Sequence, residues 1–251
     1  MKKVIKQFIS TVLGVAITSS SVPFTSVQAE ETITEKYPYT LFAGSSDEGA
    51  ININSNNVCI NGNIATNGTI TTTAGNFNIN GIKAENVDEP IIYFFNKLDT
   101  AYFDTSATAT YSEDYFCEET NININTPIEA EGDITLKGNI NISSGLKALN
   151  DVNLSGNVEN TQHSAISSQT GDIIINTDNV NLNGIVYAPY GCVNISAMNL
   201  NMNSVIIIAD KINISCPNFN ANYNIQMGEF IGLESEETEY DTELNDSDRR
   251  I

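Results

Sequence analysis

Short runs in which apolar and polar residues alternate cover most of the chain. Residues 121–125 read Asn-Ile-Asn-Ile-Asn, and residues 139–142 alternate in the same way. A period of two sends successive side chains to opposite faces of a β-strand, so isoleucine points inward and asparagine outward. The pattern therefore predicts many short strands, each with one buried face.

These strands recur at a nearly constant step. One corner pattern consists of a turn residue, a variable residue, and then two apolar residues that flank one further residue. It begins at Gly132, Asn150, Gly171, Gly191 and Asp210. Its steps are 18, 21, 20 and 19 residues, and the segments 50–53 and 58–62 repeat nineteen residues later. Such a step fits one coil of a three-sided solenoid. We predict an all-β, right-handed parallel β-helix of about 19–20 residues per coil and roughly seven coils. An antiparallel sandwich is the alternative, although it needs no constant step.

The repeat pauses once, between two solenoid segments. Asp88 and Pro90 suit a helix start, and the apolar residues that follow have helical spacing, so we expect one inserted α-helix from about Glu89 to Phe103. It packs on the flank of the rod or covers one end; a lid or partner-binding role is the alternative. The predicted organisation is a signal peptide (1–29), a lead-in (30–40), first solenoid coils (41–85), a helical insertion with an acidic loop (86–120), the main solenoid (121–232) and an acidic disordered tail (233–251).

The first residues have the pattern of an export signal. Lys2, Lys3 and Lys6 precede a short apolar stretch, and Val27-Gln28-Ala29 resembles a cleavage site. We expect cleavage after Ala29 and a protein that is secreted, extracellular or in the cell envelope. No later segment is long and apolar enough to insert into a membrane.

The charge excludes several partners. The whole chain has a net charge of −20, and loss of the three lysines of the signal makes it −23. Such a chain repels phosphate backbones and anionic lipid, so nucleic acid and membrane surfaces are not expected partners. We expect a cell-surface or extracellular protein or glycan.

Three carboxylates form the only candidate metal site. Asp133, Asp151 and Asp172 occupy the same corner position in successive coils and should stack. Like charges so close are neutralised by solvent or by a shared Ca²⁺ ion, the one candidate cofactor. Alternatively, aspartate is simply a favoured turn residue there.

No set of residues has the pattern of a catalytic site. Polysaccharide lyases and hydrolases often use β-helices, but the solenoid lysines do not align and no carboxylates pair across a face. His163 lies in a polar segment, and Tyr187 and Tyr190 flank a turn. We therefore predict no enzyme activity and no catalytic residues. The cysteines, which are either unpaired or disulfide-bonded, are Cys59, Cys117, Cys192 and Cys216.

Two segments resemble a group of uncharacterised secreted β-helical repeat proteins from Gram-positive anaerobes. They are Gly184–Gly191 with the strands that follow, and Tyr39–Ala43 with Cys59–Gly68. The resemblance implies a β-helical envelope or secreted module over about residues 37–232 and assigns no catalytic residue. In architecture alone, the coils also resemble bactofilin-like and pectate-lyase-like solenoids, which does not establish function.

These observations favour a secreted or cell-surface structural or adhesion-type module without catalytic activity. The alternative is a carbohydrate-binding or polysaccharide-cleaving β-helix protein. A third hypothesis is self-assembly through the coil ends, which the insertion and the acidic tail oppose.

Overall fold

The computed structural model describes residues 36–103, 106–161 and 163–232. The predicted signal peptide and acidic tail lie outside these residues. The strands are β1 (Tyr39–Ala43), β2 (Ile51–Asn54), β3 (Asn57–Asn61), β4 (Asn63–Thr66), β5 (Ile70–Thr72), β6 (Asn76–Asn80), β7 (Lys83–Glu85), β8 (Ala109–Tyr111), β9 (Tyr115–Ile124), β10 (Ile128–Ala130), β11 (Ile134–Ile142), β12 (Gly145–Ala148), β13 (Val152–Ser155), β14 (Val158–Asn160), β15 (Ala165–Ser168), β16 (Ile173–Ser215) and β17 (Asn218–Tyr223).

The strands form a parallel β-solenoid, as the repeat predicts. Every strand pairing in the described chain is parallel and joins a strand to its equivalent one coil away, as β11 does with β13 and β9. A single coil has three sides. The uninterrupted β16 runs around several corners, so its residues contribute to all three sides.

The coils do not stack in chain order. The first coils, β1 to β7, lie on the last coil: Leu41 pairs with Ile207, Ile51 with Ile212 and Val58 with Phe219. From one end to the other, the covered side runs β8, β10, β12, β15, two passes of β16, β1, β4 and β7, which makes nine coil positions in the described chain. The structure therefore has more coils than the seven that the repeat predicts.

We name the two ends by their strands. The upper end is the coil of β5, β6 and β7, and the lower end is the coil of β8 and β9. Between them, inward columns of isoleucine, valine and leucine form one continuous core, in which residues such as Ile60, Leu136 and Ile173 are fully buried. Stacking of coils buries each row, which one coil cannot do alone.

Corner glycines make the tight bends possible. Gly156 has φ +108°, and a Cβ there would lie 2.1 Å from the carbonyl oxygen of Gly138 in the coil beneath. Only glycine adopts this backbone conformation without strain and lets two backbones approach so closely.

The inserted segment lies along the flank of the solenoid, and its helix is shorter than predicted. Helix α1 comprises Phe95–Leu98 and continues as a π-helical turn, Asp99–Phe103. The predicted start at Glu89 is wrong, because the Asn67 side chain accepts from the Glu89 N–H (2.8 Å) and donates to its carbonyl (2.6 Å). Those two bonds hold Glu89 in a non-helical conformation, and Asp88 has φ +58° rather than the conformation of a helix cap.

The acidic part of 86–120 also differs from the expected loop. Residues 109–111 and 115–124 are strands β8 and β9, which begin the lower coil. Tyr115 and Cys117 pair with Ile134 and Leu136 and extend their inward columns. The inward–outward alternation of a β-strand therefore continues through this acidic segment.

A second short helix follows the last coil. Helix α2 spans Ile225–Ile231 and is capped by Asn224, whose side chain accepts from the Met227 N–H at 3.0 Å. The Lys97 ammonium donates to the Gly232 carbonyl at 3.0 Å and joins the two helical segments. Together they cover one side of the solenoid with an apolar cluster that includes Phe42, Phe94 and Tyr187.

Candidate binding surface

The two remaining sides of the solenoid face solvent, and one carries a ladder of asparagines. Side-chain amides of consecutive coils hydrogen-bond at 2.8–3.2 Å in two runs, one from Asn121 to Asn199 and one from Asn218 to Asn76. Its members, in spatial order, are Asn121, Asn139, Asn157, Asn179, Asn199, Asn218, Asn57 and Asn76. We call this side the asparagine face. The alternation places asparagine outward at equivalent positions of consecutive coils, and stacked amides stabilise the solenoid.

A second outward column runs beside the first, two residues further along each strand. It comprises Asn123, Asn141, Glu159, Asn181, Asn201, Asn220, Cys59 and Asn78. Glu159 is the one charged side chain in the two columns. The net charge of −20 is therefore almost absent from this face.

The ladder leaves half of each amide unused. An asparagine side chain has two N–H donors and an oxygen with two lone pairs. The ladder bonds use at most one donor and one acceptor per residue, so each amide offers at least one further N–H and one further lone pair to solvent. Neighbouring coils repeat this pair about every 4.8 Å. Buried residues directly behind the ladder, such as Val158 and Leu200, hold its backbone in place.

The other open side, which we call the mixed face, is less uniform. Its outward residues include Asn153, Ile174 and Asn213, and Lys137 forms an ion pair with Glu118 near the lower end at 3.6 Å. A groove of about 700 Å³ lies where the mixed and asparagine faces meet. Asp178 is the only carboxylate that lines it, so this groove does not bring together the paired acids of a hydrolase.

The three predicted aspartates stack at one corner and bind the backbone. The Asp133 carboxylate accepts the N–H of Asp151 (3.1 Å), Asp151 that of Asp172 (2.8 Å), and Asp172 that of Cys192 (2.7 Å). Asp114 begins the same column. Each carboxylate thus satisfies an N–H of the next coil, which explains aspartate at this corner.

The Ca²⁺ site at these aspartates stays a prediction. Within 36–103, 106–161 and 163–232, no group of three or more histidine, cysteine, aspartate or glutamate side chains is arranged to hold a metal ion.

Lys147 makes a buried contact that the sequence did not indicate. Its side chain is 7% exposed and contacts Asp99 of the π-helical turn (2.6 Å) and Glu129 of the neighbouring coil (2.9 Å). Burial lowers the pKa of Lys147, but its hydrogen bonds to the two carboxylates outweigh this and raise the pKa overall. The amine therefore stays protonated at neutral pH and fastens the inserted segment, and it does not serve as a base.

The described cysteines are all unpaired thiols. Cys192 is half-buried, and burial raises its pKa to about 11. A thiol that stays protonated at neutral pH is a poor nucleophile. Nothing at this position indicates cysteine chemistry.

The two tyrosines near Pro189 have different positions. Tyr187 is buried in the cluster beneath the insertion, and its hydroxyl donates to the Ile92 carbonyl at 2.9 Å. Tyr190 is 62% exposed and stacks on Tyr93 with ring centroids 5.3 Å apart. His163 lies in an exposed turn.

Neither described helix is long and apolar enough to cross a bilayer.

No family model matches the chain, and no curated protein matches it. Among the solved structures similar to it are two ice-binding proteins. One is an ice-binding protein from an Antarctic biological consortium, with 17% identity over 85% of this chain and 95% of that one and a TM-score of 0.29. The other is an ice-binding protein from the Antarctic ascomycete Antarctomyces psychrotrophicus, with 12% identity over 76% of this chain and 95% of that one and a TM-score of 0.28.

Proposed function

We propose that the chain is a secreted or cell-surface structural or adhesion-type module that binds through its asparagine face and has no catalytic activity. One observation carries the proposal: the asparagine face is a regular, nearly uncharged array of amide donors and acceptors on a rigid core. A surface of this kind suits a ligand that is itself regular and neutral.

The carbohydrate-binding alternative rests on the same array. Each ladder asparagine has a donor and an acceptor free, which is the complement of a hydroxyl group. Insoluble neutral polysaccharides present hydroxyls at a regular repeat and carry no charge to be repelled by the acidic chain. We therefore propose such a polysaccharide as the ligand of the adhesion module.

The test is cosedimentation of residues 30–251 with insoluble neutral polysaccharides. Asn181→Lys places a bulky charge in the centre of the asparagine face, and we expect about tenfold weaker binding, equivalent to about 1.4 kcal/mol. The matched control is Asn153→Lys, an equally half-buried outward position on the mixed face. Loss of binding in the control alone would place the ligand on the mixed face and contradict the proposal.

The same samples test for activity and for other ordered solids. New reducing ends or unsaturated products in a bound polysaccharide would overturn the non-catalytic assignment. Ice also offers hydrogen-bonding groups at a regular repeat, so partition of the chain into growing ice is measured with the same two variants. Export is tested by N-terminal sequencing of protein recovered from the culture medium, for which we expect Glu30 as the first residue.

A further inference from the structure

We propose that copies of this chain stack end to end, with the upper end of one solenoid on the lower end of the next. This goes beyond the binding function above, because it uses the two coil ends and not the asparagine face. The partner is a second copy of the same chain.

Both ends expose an unpaired strand edge in the described parts of the chain. At the upper end, β6 pairs only with β3, and β7 only with β4. At the lower end, β8 pairs only with β10, and β9 only with β11. An unpaired edge is a template for pairing with another chain.

On the β6 side of the upper end and the β9 side of the lower end, the core columns continue as apolar residues, whereas Lys83 and Glu85 of β7 take the column positions of the buried Ile64 and Thr66. Phe77 and Ile79 extend the buried column positions of Val58 and Ile60, yet are only partly buried. Tyr115 and Cys117 do the same at the lower end. Apolar rows that end partly open to solvent gain stability when another coil covers them.

The two ends have matching cross-sections. A lower end placed in register on an upper end sets Asn121 on Asn76, so that the asparagine ladder continues from one copy to the next. In the same register, Cys117 lies on Thr72, since both belong to the inward column of Leu136 and Ile53. Every pairing is parallel, as in the rest of the solenoid.

The molecule already contains one junction of this kind. Strand β17 pairs with β3 in register from Asn218–Asn57 to Asn222–Asn61, although these strands are about 160 residues apart in the chain. No tight turn connects the two coils. Coil ends of this sequence therefore form a parallel junction without a direct covalent link.

The inserted segment does not obstruct stacking. It was expected to oppose self-assembly, but α1 and the π-helical turn pack on the flank, where Asp99 contacts Lys147 and Phe94 contacts Tyr187. The part of the chain that the structure describes thus leaves both ends accessible.

Charge favours stacking of unlike ends. The lower end carries Glu113, Asp114, Glu118 and Glu119, whereas the upper end carries the Lys83–Glu85 ion pair. A contact between two lower ends would bring all these carboxylates together. An upper-on-lower contact is heterologous and does not close, so it extends into a filament. Salt screens the remaining repulsion between acidic copies and should promote it.

Disulfide trapping tests the register. In the stacked arrangement, the Cα atoms of Thr72 and Cys117 of two copies lie about 4.8 Å apart, within the range for a disulfide. Thr72→Cys, in a background where Cys59 is replaced by Ser, should give a ladder of covalent oligomers after mild oxidation in 0.5 M NaCl. We expect at least tenfold more cross-linked product than in Thr71→Cys, whose side chain points outward. Replacement of Cys117 by Ser should abolish the ladder.

Light scattering tests association without a cross-link. The average mass of the chain 30–251 should rise with concentration and salt. Ile79→Lys puts a charge in the open core row and should return the mass to that of a monomer, whereas Asn78→Lys, on the outward side of the same strand, should not. Melting curves establish that both variants are folded. The proposal is overturned if the unsubstituted chain is monomeric throughout and Thr72→Cys cross-links no more than Thr71→Cys.

Discussion

The side-chain amide of Asn57 donates to that of Asn218 at 2.9 Å, although 161 positions separate the two residues in the sequence. This bond lies at the junction where the first coils of the chain rest on the last. Because the two strands are so far apart in the sequence, closing this junction is a long-range step in folding.

The junction predicts that Phe219 contributes strongly to stability. Its side chain is fully buried between the two parts of the solenoid. Phe219→Ala should lower the free energy of unfolding by about 3–5 kcal/mol, because it leaves a cavity in the core. Phe77→Ala, at the partly open upper end, should cost clearly less in the same urea titration. Equal losses would contradict a tightly packed junction.

Lys147 should matter more than an exposed lysine on the same solenoid. Lys147→Met leaves two carboxylates near each other on the flank, and we expect a loss of about 2 kcal/mol, below that of a fully buried pair because Asp99 and Glu129 keep some solvent. Lys137→Met removes the exposed pair with Glu118 and should cost under about 1 kcal/mol. Thermal melts compare the two; the reverse order would refute the role of Lys147.

The corner conformation predicts the effect of an alanine at Gly156. Gly156→Ala forces a Cβ against the Gly138 carbonyl at a positive φ, and should destabilise the protein by about 1–3 kcal/mol. Gly75→Ala is the control, because the nearest atom to its Cβ is the Asn56 carbonyl oxygen at 3.6 Å. If both variants melt like the parent, the corner tolerates side chains and this account of it is wrong.

Acid should weaken a contact within the upper coil. The Glu85 carboxylate accepts the Ile70 N–H at 2.6 Å, which lowers its pKa below the ordinary 4.5. A group with a lowered pKa in the folded state stabilises that state above its unfolded pKa and loses this effect as pH falls through the folded value. Unfolding measured from pH 7 to pH 3 should therefore show a stability difference between the parent and Glu85→Gln that shrinks below about pH 4.5. A constant difference would exclude this linkage.

The aspartate column predicts a distinction between two substitutions. Asp151→Ala removes the acceptor for the Asp172 N–H and should cost about 1 kcal/mol, whereas Asp151→Asn keeps an acceptor oxygen and should cost less. Repeating the melts with CaCl₂ tests the Ca²⁺ prediction. A rise in melting temperature that Asp151→Asn removes would support a bound ion, and an identical response of parent and variant would contradict it.

Local pattern was sufficient for much of this fold. The alternation of Asn121 to Asn125 indicated the strands and their inward isoleucine and outward asparagine columns, because a period of two is a property of neighbouring residues. The step from Asp133 to Asp151 indicated the coils, because the coil length is nearly constant along the chain. The asparagine ladder follows directly, since equivalent positions of stacked coils must be adjacent.

Only the tertiary structure decided which coils are neighbours. All coils present similar columns, so nothing in the local pattern states that Val58 pairs with Phe219. The start of the helix was also decided at a distance, because Asn67 binds the backbone of Glu89. Lys147 acquired its role in the same way, from an Asp99 that is 48 residues away. Contacts between chain-distant side chains set these features, and such contacts leave no periodic signal in the sequence.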